Sequence, residues 1–132
     1  MGLFYTGKGD KGTSLICGKK IDKTCAEMEA LGDLDELNSL LGLIRSYQIQ
    51  RQFQNELKGV QENLFTIQAH IAVIMLGKKF KAPVFSHNKI TELETVIDTL
   101  EKEIQPAKKF VISGESQSAA WFDYARAVCR RH

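Results

Sequence analysis

Proline is scarce in this chain of 132 residues: only Pro83 and Pro106 occur, so long helices meet few breakers. Cysteine is equally sparse. Cys17, Cys25 and Cys129 share no C-x-x-C spacing, and an odd, scattered set favours reduced thiols over a disulfide framework. His70, His87 and His132 are scattered too, so no zinc-like ligand spacing is present. No apolar run approaches the roughly 18 residues that cross a bilayer, and no charged-then-apolar leader pattern opens the sequence. The net charge of +2 is too small to argue for nucleic acid or a membrane surface. The expectation is a cytoplasmic protein with neither kind of partner.

What is present is helical periodicity, in a sequence with 43% hydrophobic and 26% charged residues. A first segment runs from about Cys25 to Tyr47, with Met28, Leu31, Leu34, Leu37, Leu41 and Ile44 on one face. A second carries Phe53, Leu57, Val60, Leu64, Ile67, Ile71 and Ile74, the seam spacing of helices packed side by side. Phe65, Ala69, Ala72 and Leu76 widen that stripe, so this helix is expected to be central. A third runs from about Asn88, as N-cap, to Ile104, and Pro106 ends it. A fourth starts near Ser116 and reaches the C-terminus. The fold class is all-α: one domain over residues 1–132, an up-and-down bundle of four main helices, preceded by a non-helical arm of roughly twenty residues.

The arm contains "YTGKGDKGTS", with Gly7, Gly9 and Gly12 in a literal G-x-G-x-x-G. A dinucleotide loop needs a strand before the glycines and a helix opening on them; here "TSLICGKK" follows, short, β-like and closed by Gly18. A Walker A loop needs Gly-Lys-Ser/Thr at its end, and this one has Gly12-Thr13. Two readings stay open. Glycines let main-chain N–H groups approach an anion, with Lys8, Lys11, Thr6, Thr13 and Ser14 adding charge and hydroxyls, so the loop could wrap a triphosphate. It could also be a solvated turn.

Two further stretches carry chemistry. "ALGDLDELNSLLG" sets Asp33, Asp35, Glu36 and Asn38 in an apolar helix; Asp35 and Asn38 are three apart and are expected near the edge of the core. A solvated acidic face covers Asp33 and Glu36, whereas a mid-helix Asp35 can also signal a partner elsewhere. "WFDYARAVCRRH" sets Arg126 and Arg130 on one helical face. Arg126 can meet a carboxylate and Arg130 a phosphate. Alternatively, Asp123 pairs with Arg126 at i, i+3 and the cations suit a helix C-terminus.

Taken together with "KKFVISGES" before the last helix, these stretches resemble the ATP:cob(I)alamin adenosyltransferases of the propanediol-utilisation type, over essentially the whole chain. The resemblance implies a ferritin-like helical bundle, a homotrimer with its active site between subunits, and ATP, magnesium and cobalamin as ligands. It implies that Thr6, Gly7, Lys8 and Gly9 bind ATP with Thr13 and Ser14 alongside, that Lys23 is a phosphate-binding lysine, and that Arg130 and Arg131 contact the nucleotide. Asp35 and Arg126 match a pair bridging the subunit boundary, and Phe110 an aromatic beside the corrin that helps exclude a lower axial ligand. Asn38 matches a motif position without an assigned role.

The sequence also departs from the family pattern. It ends at His132 where the family continues "AER" and adds a fifth helix; "ISGES" stands for "LPGG", and "TCAEMEA" follows Lys23. A bundle short of one helix is expected to expose apolar surface and to oligomerise or bind a partner. The expected function is adenosyl transfer from ATP to cob(I)alamin, with a reductase or acceptor enzyme as a possible partner. A non-catalytic ATP- or corrinoid-binding bundle and a purely structural bundle are the alternatives.

Overall fold

Four-residue strands open the described part of the chain. The computed structural model describes residues 9–47, 51–77, 81–106 and 108–131. Strand β1 (Thr13–Ile16) pairs antiparallel with β2 (Lys19–Asp22), Thr13 opposite Asp22 and Ile16 opposite Lys19. The two-residue loop between them puts Cys17 at φ 46° and Gly18 at φ 80°. Two consecutive left-handed residues match the twist of a tight hairpin, and Gly18 meets that demand without steric cost. The Asp22 carboxylate then accepts from the Thr24 backbone N–H at 2.9 Å and the Thr24 hydroxyl at 2.7 Å, turning the chain into the first helix.

That helix, α1 (Ala26–Ser46), is followed by α2 (Arg51–Leu76), α3 (Asn88–Ile104) and α4 (Gln117–Arg131). Glu27 and Glu29 in its first turn and Arg45 in its last complement the helix dipole. The Ser116 hydroxyl caps α4 by accepting the Ala119 N–H at 3.2 Å. Gln105, left-handed at φ 44°, closes α3 just before Pro106. At the start of α3 the expectation changes by one residue. His87 takes the N-cap position, Asn88 is already helical, and the Ser86 hydroxyl accepts the Asn88 N–H.

The core joins Leu37, Leu40, Leu41 and Ile44 of α1 to Leu64 of α2 and Ala125 and Val128 of α4. Leu34, Leu57, Val60, Trp121 and Phe122 pack around it. The central helix is therefore α1, not α2 as the stripe suggested. Helix α1 meets α2 on one side and α4 on the other, so its apolar residues are covered from two directions, while α2 buries only Leu64 and Met75. Helix α3 buries no residue, and Ile90, Ile97 and Ile104 remain more than half exposed.

Polar contacts set the approach of the elements. The Gln61 side chain donates to the Asn38 carbonyl at 2.9 Å and accepts from Arg45 at 2.7 Å, tying α2 to α1 beside Gly42. Lys19 Nζ donates to the Met75 carbonyl at 2.8 Å, so the hairpin satisfies an open acceptor in the last turn of α2. Tyr47 stacks on Trp121 at 6.2 Å, and Trp121 leans on Tyr124 at 6.3 Å, closing the end of α1 against α4.

Candidate functional site

The arm residues lie beside the first strands. The Lys23 N–H donates to the Gly12 carbonyl at 3.0 Å, and Gly12 adopts φ 78°. A Cβ on Gly9 would stand 3.0 Å from the Thr13 carbonyl oxygen and 3.4 Å from Lys23 Nζ. Glycine thus eases the approach of main chain to main chain at Gly9, where a side chain would crowd the Thr13 carbonyl, and the Lys23 ammonium reaches the same loop. Thr13 and Ser14 are half-buried and line a shallow cavity of about 220 Å³ with Leu15 and Lys20. A cation and two hydroxyls next to a glycine backbone form a donor-rich surface suited to an anion. Thr6, Gly7 and Lys8 lie outside the described residues.

The acidic stretch of α1 divides by helical phase. Asn38 is 5% exposed and its Oδ1 has no partner among the described residues, whereas Asp35 is exposed. Asp35 therefore does not sit at the edge of the core with Asn38. Three residues of helix separate their directions by about 60°, enough to turn one inward beside Gln61 and the other to solvent. Glu36 is exposed, on the solvated face the sequence assigned it, and there it accepts from Arg131 at 2.9 Å across α1 and α4.

Along α4 the three arginines differ. Arg126 grips Asp123 of its own helix through Nε and Nη2, each at 2.8 Å, so within the chain its partner is Asp123 and not Asp35. Arg131 pairs with Glu36. Arg130 is exposed and has no ion pair or hydrogen bond among the described residues. Cys129, next in the chain, lines an apolar groove of about 310 Å³ with Ala30, Asp33, Leu34, Leu37 and Leu64. Phe110 stands fully exposed between α3 and α4.

Asp22 is a carboxyl with a perturbed proton affinity. The Thr24 backbone N–H first, then the Thr24 hydroxyl, hold it below its ordinary value of 3.8. Among the described residues no three His, Cys, Asp or Glu side chains are grouped to hold a metal, and no helix is long and apolar enough to cross a membrane. Sequence reasoning missed two residues here. Lys19 and Glu36 act through partners 56 and 95 residues away, and helical periodicity carries no signal for either.

The chain as a whole has known relatives. A cobalamin adenosyltransferase family profile matches residues 4–132, and the chain belongs to that family. The corrinoid adenosyltransferase of Bacillus subtilis is 34% identical over 131 residues, 96% of this chain and 66% of the relative. The corrinoid adenosyltransferase PduO of Salmonella typhimurium is 33% identical over 128 residues, 96% of this chain and 38% of the relative. The chain thus spans less than two thirds of either. Among solved structures, a variant PduO-type ATP:corrinoid adenosyltransferase from Lactobacillus reuteri, complexed with cobalamin and ATP, is similar at a TM-score of 0.86 and 30% identity, covering 97% of this chain and 70% of that one.

Proposed function

We propose that this chain, as one domain, transfers the 5′-deoxyadenosyl group of ATP to the cobalt of cob(I)alamin and releases triphosphate. The observation that carries this reading is the likeness, at a TM-score of 0.86 over nearly the whole chain, to an enzyme complexed with both substrates. The placement of Lys23 against Gly9, and of an Arg130 on α4 with no partner among the described residues, supports it.

The roles are those that the resemblance implies for these residues. Thr6, Gly7, Lys8 and Gly9, with Thr13, Ser14 and Lys23, bind the triphosphate. Arg130 faces it from the last helix, and Arg131 stands next to it. Asp35 and Arg126 join neighbouring subunits of a homotrimer, and Phe110 flanks the corrin. Magnesium keeps several waters and binds through substrate phosphates, so it fits the hard hydroxyl donors Thr13 and Ser14 next to a triphosphate; it supplies neutralisation of the leaving group. The protein operates in the cytoplasm, with a reductase supplying the cobalt electrons or an acceptor enzyme taking the product.

Cob(I)alamin is the nucleophile, so the chain needs no general base. The cobalt lone pair forms the bond to C5′ while the C5′–O bond breaks, and the electron pair leaves with triphosphate. Lys23 and Arg130 hold the charge that develops on that leaving oxygen. The glycine loop fixes the triphosphate so that C5′ stays in line with cobalt.

Reduced cobalamin mixed with MgATP and the protein is expected to give the visible spectrum of a carbon–cobalt product; an unchanged spectrum with both substrates present counts against the reading. MgATP alone is expected to raise the melting temperature, and Arg130→Ala is expected to abolish the rise.

A further inference from the structure

We propose that the Glu36–Arg131 ion pair is a positioning device for Arg130: it fastens the last turn of α4 to α1 and turns the Arg131 charge away from the nucleotide. The inference rests on the adenosyltransferase reading and assigns Arg131 a role other than the direct nucleotide contact implied by the resemblance.

Helical phase makes the argument. Val128 is 4% exposed and marks the core direction of α4. At about 100° per residue, Arg131 lies about 60° from that direction, on the flank toward α1, whereas Arg130 and Arg126 point about 160° away from it. On α1 the core direction is set by Leu37, Leu40, Leu41 and Ile44. Glu36 stands about 90° from it and Asp35 nearly opposite. Both side chains stand on flanks that the two helices can bring together, and Arg131 meets Glu36 at 2.9 Å. Three guanidinium groups occupy six residues at the end of α4. Arg126 is neutralised by Asp123, Arg131 by Glu36, and Arg130 is left as the cation without a partner among the described residues. A fixed last turn aims that remaining guanidinium in one direction, and positioning of a charged ligand group is sensitive to displacements of an ångström.

The pair is well exposed, at 60% for Arg131 and 47% for Glu36, so it contributes little to overall stability. That separates positioning from folding experimentally. The test is calorimetric titration with MgATP, beside thermal melting, of wild type, Glu36→Gln, Arg131→Gln, the double neutral variant, and the swap Glu36→Arg/Arg131→Glu. Each single variant is expected to bind MgATP about three- to tenfold more weakly, with the double variant no weaker than the singles. The swap is expected to recover to within about twofold of wild type, with all melting temperatures close together. If Arg131 is instead itself a phosphate ligand, Glu36→Gln binds as tightly as wild type or more tightly, and the swap is as weak as Arg131→Gln. Either result overturns the proposal. A wild-type chain that binds no MgATP overturns the proposed function, and this inference with it; the wild-type titration alone identifies that outcome.

Discussion

Neighbouring residues in this chain have opposite fates because a helix turns about 100° between them. Asp35 faces solvent while Glu36 is engaged by α4, and Arg130 has no partner among the described residues while Arg131 is engaged by α1. The same economy of scale holds at Asp22, whose carboxylate serves a single turn. Its folded proton affinity is lowered, so the stability it contributes is present above the unfolded value and is lost as pH falls through the folded one. Wild type is thus expected to melt above Asp22→Ala at neutral pH. The gap is expected to close on acidification below the ordinary carboxylate value of 3.8. Thermal melts across that range check it, and a gap independent of pH removes the carboxylate from the account of the turn.

At the scale of elements, the hairpin and the helices respond to glycine in opposite ways. Gly18 sits at φ 80°, and an added methyl there would meet only open space, so Gly18→Ala costs backbone strain alone, about 1 kcal/mol, and Gly18→Asn less. Gly59 lies inside α2 and an added Cβ there also meets nothing within 4 Å; Gly59→Ala is expected to stabilise by about 1 kcal/mol. Urea midpoints of the two variants should move in opposite directions. These elements were legible in advance: the segment from Asn88 to Ile104 has the predicted span, and the β-like run closed by Gly18 is the hairpin. Their hierarchy was not. Ile90, Ile97 and Ile104 repeat as regularly as any stripe in the chain, yet remain exposed. Periodicity shows that a helix has an apolar face, not what covers that face. The arginine–aspartate pair of α4 could be read from i, i+3 spacing, but the choice of Glu36 over Asp35 as partner for Arg131 depends on how two distant helices are rotated against each other.

For the whole molecule, the core is short and centred on one side chain. Ile44 is 1% exposed, and Ile44→Ala is expected to destabilise by about 3 kcal/mol, measured by urea unfolding, against near neutrality for the exposed Ile97. Assembly is predicted to depend on Asp35: Asp35→Asn is expected to shift sedimentation toward smaller species more than Asp33→Asn, and equal effects would detach Asp35 from the subunit contact. The hold of Asp123 on Arg126 has a further bearing on that contact. In the proposed trimer, a carboxylate arriving from a neighbouring copy meets a guanidinium that Asp123 already holds through Nε and Nη2, with the Nη1 donors left to offer. Joining then adds a second acceptor to a charge already balanced, so its equilibrium is expected to respond more weakly to added salt than the pairing of two bare ions. Asp123→Asn should steepen that response.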